Sequence, residues 1–167
     1  MAVMMQAFFW DCPRAARQEF QWWNHVRGHV AALAEAGFGA LWLPPVHKAA
    51  NSGGPSMGYD PYDYYDLGEF DQKGSVNTWF GSKEELLALI GAAHANGMEV
   101  IADFVVNRCS GADAQELNPI TGEQRWTRFE PASGKFHRDW ECFLPNPYES
   151  WEEGSFGEMP DLSHRNP

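Results

Sequence analysis

Apolar residues fall along the first hundred positions in short blocks of two alternating kinds. Ala2–Phe9 (AVMMQAFF) is a mostly apolar run of strand length and predicts a buried strand. From about Phe20 to Ala36, Val26, Val30, Leu33 and Ala34 recur at helical spacing, and Gly37 stands where a left-handed C-terminal cap is wanted. Phe38–Leu43 (FGALWL) predicts a second buried strand, stopped by Pro44-Pro45 because proline cannot donate to a ladder. Ser82-Lys83-Glu84-Glu85 matches a capping box with Ser82 as N-cap, followed by Leu86, Leu89, Ile90 and Ala93 on one helical face and Gly97 at its end. Glu99–Val106 (EVIADFVV) is continuous and β-branched, and predicts a strand covered on both faces. The order strand–helix–strand–helix–strand implies parallel pairing with right-handed crossovers.

The connections are unequal. Both helix-to-strand links are tight, Gly37 and Gly97-Met98, whereas the link after the second strand runs over residues 44–81. Beyond Asn107 no sustained period is visible, and Pro119, Pro131, Pro145, Pro147 and Pro160 interrupt the chain. Long loops in a compact domain are usually functional, and these lie at the carboxyl ends of the strands, where α/β proteins place their sites. No G-x-G-x-x-G or G-x-x-x-x-G-K follows the first strand, which weakens a nucleotide-binding reading. Three parallel strands cannot close a barrel, so the chain is expected to be the front part of a larger protein.

Composition narrows the chemistry. Among 167 residues, 12 Lys+Arg stand against 23 Asp+Glu, a net charge of -11, which argues against nucleic acid as a partner. No apolar run reaches the roughly 18 residues of a membrane span, so no membrane partner is expected. MAVMMQAFFWDC lacks a basic leader and a cleavage site, so a cytoplasmic location is expected. Cys12, Cys109 and Cys142 are too few and too scattered for a disulfide scaffold. Aromatics make up 14%; such rings usually fill cores, but they also stack on sugar faces.

Asp103, an acid within an apolar strand, must be hydrogen-bonded or sit in a polar site at the strand end. A structural acceptor and a direct substrate role both remain open for it. Asn107 reads from its place as a turn residue, although its amide oxygen is a hard ligand suited to Ca2+. The segment Gly58–Phe70 (GYDPYDYYDLGEF) interleaves acids and aromatics. It reads either as a sugar-stacking rim or, for most of its members, as a loop solvated by acids and pinned by rings. His25 and His29 are four apart but lack an H-E-x-x-H context. A zinc site from Cys142, His137 and His164, with Cys109, has no C-x-x-C spacing behind it. No G-x-S-x-G is present to signal serine hydrolysis.

Taken together, MMQAFFWD, ALWLPP, SMGYDPYDYYDLGEFDQKGSVNTWFGSKEEL, GMEVIADFVVN and MPDL resemble the N-terminal part of the α-amylase family of glycoside hydrolases, most nearly its liquefying-type and intracellular bacterial and archaeal members. The resemblance implies a partial (β/α)8 barrel over residues 1–107, carrying its first three strands. An irregular inserted domain would follow over 108–167, cut short at its end. It implies retaining attack on α-1,4-glucans such as starch, with Ca2+ holding the insertion against the barrel. Tyr59 matches the ring that stacks on the sugar at the cleavage site, and Asp103 matches the hydrogen-bonding carboxylate of the third-strand motif. Asn107 and Asp161 match calcium ligands; Glu152 and the Gly154 carbonyl fall where further ligands are usual, with relatives commonly carrying Asp at the first. The family's motif usually ends in Asn-His, where this chain has Asn107-Arg108. Arg108 donates through a charged planar fork and is no isostere of imidazole; it is expected either to donate to a sugar hydroxyl or to pair with a catalytic carboxylate and lower activity. The nucleophile, the acid/base and the third carboxylate belong to strands beyond residue 167, so no catalytic residue lies in this chain, and alone it is expected to be inactive. A glucan transferase of the same fold, or a non-catalytic relative binding glucan or a partner, are the alternatives.

Overall fold

The computed structural model describes residues 3–10, 12–13, 21–51, 56–150 and 159–166. Three strands, β1 (Val3–Gln6), β2 (Phe38–Leu43) and β5 (Glu99–Ala102), form a parallel sheet in the order β1-β2-β5. Leu41 pairs with Met5 on one side and Val100 on the other. Helices α1 (Trp22–Glu35) and α2 (Lys83–Ala95) pack against each other and against the sheet. Their buried stripes meet in a core of Trp23, Val26, Val30, Leu41, Leu43, Phe80, Leu86 and Leu89.

Local chemistry fixes the ends of these elements. Glu85 N–H donates to Ser82 Oγ at 3.3 Å and Ser82 N–H to Glu85 Oε2 at 2.9 Å, a complete capping box on α2. Gly37 and Gly97 adopt φ of +95° and +71°, the left-handed conformation that ends each helix at low steric cost.

Three expectations about these elements need correction. β1 is not a buried strand, since Val3 and Met4 are 52% and 49% exposed. β5 is not covered on both faces: Ile101 is 46% exposed, and beyond the strand Phe104 and Val106 are 52% and 54% exposed. Among the described residues it is an edge strand, paired with β2 alone. The region after Asn107 is not without regular structure either. β6 (Ala114–Asn118) and β7 (Glu123–Arg128) make an antiparallel hairpin. Its inward residues are polar and satisfied: buried Thr127 donates to Glu116 Oε1 at 2.9 Å, and buried Asn118 donates to the Pro145 carbonyl at 2.9 Å. Leu117 and Trp126 point outward, half exposed, so the usual hydrophobic alternation is inverted. A 3-10 turn (Trp140–Cys142) leads to a second apolar cluster of Tyr62, Cys109, Phe129 and Phe143.

The long loop after β2 is anchored from inside. It holds a two-strand ribbon, β3 (Lys48–Ala49) with β4 (Pro61–Asp63). Lys48 is fully buried, 3.4 Å from Asp66 Oδ2, and donates to the carbonyls of Phe70, Ser75 and Val76 at 3.1, 2.8 and 2.5 Å. Asp66 Oδ1 accepts the Gly68 and Glu69 N–H groups, both at 2.8 Å. Asp63 accepts from Gln72 Nε2 and Ser133 Oγ, both at 2.9 Å, which ties the loop to the segment after β7. Asp63 and Asp66 are thus buried, hydrogen-bonded anchors, and the expectation of a loop solvated by its acids fails at both.

Candidate saccharide and cation site

The carboxyl ends of the three parallel strands converge on one ring. Asp103 follows β5 directly, its own N–H continuing the ladder to the Leu43 carbonyl at 3.0 Å. Tyr59 comes from the loop after β2, and its hydroxyl donates to Asp103 Oδ2 at 2.9 Å. Trp10, four residues past β1, stacks on Tyr59 with centroids 6.0 Å apart and planes inclined by 21°. Burial and the neighbouring carboxylate both push the Tyr59 hydroxyl above its ordinary pKa, so it stays a donor at neutral pH. The Asp103 carboxylate, with about four lone-pair sites, keeps capacity for further donors such as sugar hydroxyls.

The backbone that carries Tyr59 is tightly seated. Gly58 adopts φ +88°, and a Cβ there would stand 2.8 Å from Pro45 Cβ. Ser56 Oγ donates to Asp60 Oδ1, and Asn51 N–H reaches Asp60 Oδ2 at 3.2 Å. Burial raises the Asp60 pKa, opposed by these donors and by the Arg108 charge. Arg108 Nη2 donates to the Tyr59 carbonyl at 3.2 Å. The structure therefore places Tyr59, Asp103 and Arg108 together, with Arg108 reaching the peptide of Tyr59.

Asn107 and Asp161 are also neighbours. The Leu162 N–H donates to the Asn107 carbonyl at 2.9 Å, Cys109 N–H to the Pro160 carbonyl at 3.3 Å, and Arg108 bridges to Asp161. An amide oxygen and a carboxylate are hard donors whose chemistry suits Ca2+, which takes about six to eight oxygens. Glu152 and Gly154 lie outside the described residues. Among the described residues no group of three His, Cys, Asp or Glu could hold a metal. His137 lies 2.9 Å from Glu130, and His29 Nδ1 lies 2.8 Å from the His25 carbonyl.

Two features escape sequence reasoning. Trp10 reads as one of many core aromatics, yet it is 67% exposed beside Tyr59. A cavity of about 490 Å³ is lined by Tyr64, Tyr65, Phe104, Phe136, Leu162 and His164; only the density of rings in the segment 58–70 hinted at it. Behind it lies His47, fully buried with its ring edge-on to Tyr64 and Phe104 at 5.1 and 5.5 Å.

A parallel sheet flanked by helices, with a carboxylate and aromatic rings gathered at the carboxyl ends of its strands, defines the catalytic-domain type of α/β protein. Residues 19–153 match the family described as Alpha amylase, catalytic domain, and the chain belongs to that family. It is 38% identical to glucan 1,4-alpha-maltohexaosidase of Bacillus sp. (strain 707), over 81% of this chain and 28% of that protein. It is 36% identical to the cytoplasmic alpha-amylase of Escherichia coli (strain K12), over 88% of this chain and 34% of that protein. Among solved structures it resembles the alpha-amylase of Geobacillus thermoleovorans complexed with acarbose: TM-score 0.53, 26% identity, 87% of this chain and 28% of that one. The chain spans about a third or less of the length of the curated relatives it matches.

Proposed function

We propose that this chain supplies the saccharide-binding and cation-binding side of an α-amylase-type retaining glycoside hydrolase acting on α-1,4-glucans. The observation that carries the reading is the Tyr59–Asp103 pair beside the exposed Trp10. An apolar ring face against sugar C–H groups and a carboxylate on a hydroxyl are together what a glucose unit needs. In this reading residues 1–107 are the first three strands of a (β/α)8 barrel and 108–167 an inserted domain. Family membership supports the barrel, and the hairpin and second apolar cluster support a separate lobe. Ca2+, held by Asn107 and Asp161 with Glu152 and the Gly154 carbonyl, would clamp that lobe to the sheet by neutralising clustered oxygen donors. A cytoplasmic setting, as named for the Escherichia coli relative, completes the proposal.

Hydrolysis with retention needs two carboxyl groups about 5 Å apart, and these are assigned to strands beyond residue 167. The purified 167-residue chain is therefore expected to bind maltooligosaccharides weakly and to leave soluble starch intact. Starch turnover abolished by replacing an acid within the chain overturns the assignment. For the cation, Ca2+ at a hundredfold excess over its Kd is expected to stabilise the protein by about 2.7 kcal/mol. Asn107→Ala and Asp161→Ala should each remove that gain in a thermal melt with and without chelator. Equal melting temperatures under both conditions in the unaltered protein would count against the calcium clamp.

A further inference from the structure

One stretch of chain grips Tyr59 at both of its ends. Asp103 takes the phenol hydroxyl at 2.9 Å, and five residues on Arg108 takes the backbone carbonyl at 3.2 Å. These contacts join residues 44 and 49 positions apart, so neither follows from a local turn. Arg108 is itself fixed: its carbonyl accepts the Tyr64 hydroxyl at 3.2 Å, and its backbone bridges to Asp161. On the other side of the Tyr59 peptide, Gly58 lies hard against Pro45 and Asp60 is held by Ser56 and Asn51. The Tyr59–Asp60 unit thus sits between a packed glycine behind it and a guanidinium in front.

We propose that Arg108 is a positioning residue, whose guanidinium holds the Tyr59–Asp60 peptide so that the Tyr59 ring is presented to an α-glucan, without itself touching the sugar. The inference rests on the saccharide reading above and deepens it. Arginine suits the task because its planar fork can address a carbonyl while its permanent charge acts on the half-buried Asp60 carboxylate. A neutral imidazole is shorter and brings no such charge.

The test reads Tyr59 directly and needs no sugar. In the 167-residue chain, Arg108→Gln should shift the Tyr59 ring-proton NMR resonances and weaken the Trp10–Tyr59 cross-peaks, while Arg108→Lys, which keeps the charge, restores part of the pattern. Unchanged Tyr59 and Trp10 signals in folded Arg108→Gln overturn the proposal. In a maltohexaose titration, Arg108→Gln should weaken binding about tenfold, and on a Tyr59→Ala background it should add nothing. Additive losses in that cycle mean a direct sugar contact and also overturn it. If Arg108→Gln does not fold, the same cycle is run with Arg108→Lys, where again any loss must vanish on the Tyr59→Ala background. Should no variant or parent bind maltohexaose while Tyr59 still moves in Arg108→Gln, the positioning role stands and the α-glucan reading falls.

Discussion

His47 shows how a single buried ring shapes the response to acid. Desolvation pushes its pKa down to about 4, outweighing the Lys48 backbone and the Asp103 and Asp63 carboxylates, which favour the charged form. The folded chain thus holds the imidazole neutral, whereas the unfolded chain takes up a proton near pH 6.5. Its stabilising effect is complete above pH 6.5 and is lost as pH falls towards 4, a change of about 3 kcal/mol. His47→Phe keeps the edge contacts to Tyr64 and Phe104 and should flatten that part of a plot of denaturation free energy against pH; an unaltered slope would show that other groups set it. None of this is legible in the sequence, where His47 is one of six dispersed histidines. Asp103 and Tyr59 stand out by type, as an acid in an apolar strand and a ring in an acidic loop. Their pairing is not legible, because 44 residues of loop and helix separate them. Trp10 was hidden by its neighbours, since FFW after a strand looks like core until its exposure is known.

Among the elements, those bounded by backbone chemistry are readable and those held by buried polar groups are not. α2 announces itself through Ser82 and Glu85, and Ser82→Ala is expected to cost about 1 kcal/mol in denaturant unfolding by removing the Oγ acceptor of the Glu85 N–H. The loop after β2 offers no such signal. Lys48 lies at the centre of a ring of carbonyls with Asp66 beside it, and no motif in the sequence marks it. Lys48→Met matches its length but strips the charge, leaving Asp66 buried without its cation. A loss of about 3–5 kcal/mol is expected, the cost of breaking a buried pair from one side. A loss below about 1 kcal/mol would show that the loop orders itself without the ammonium. The β6–β7 hairpin is illegible for the opposite reason to Lys48. Its inward face is Glu116, Asn118 and Thr127, so hydrogen bonds replace the apolar alternation on which strand recognition rests.

At the scale of the whole molecule, the sheet is what remains unsatisfied. Among the described residues β1 and β5 each pair on one side only, and an open edge carries backbone donors and acceptors that can template another strand. Beside the β5 edge lie Ile101, Phe104 and Val106, each about half exposed, so apolar surface and unpaired backbone coincide. This contrasts with the β1–β2 and β2–β5 seams, which share β2, where only one register shift occurs, between Val3 and Met4, and Leu41 and Leu43 are fully buried. The physical consequence is association: two copies that pair along β5 would cover both liabilities at once. Sedimentation velocity of the 167-residue chain should show a weight-average mass that rises with concentration across the micromolar range. Ile101→Lys, which places a charge at the exposed edge without entering the core, should hold the chain monomeric and leave its unfolding free energy within about 0.5 kcal/mol of the parent. A parent chain that stays monomeric at the highest concentration would mean that the polar insertion shields the edge. Ile101→Lys would then have no effect on mass.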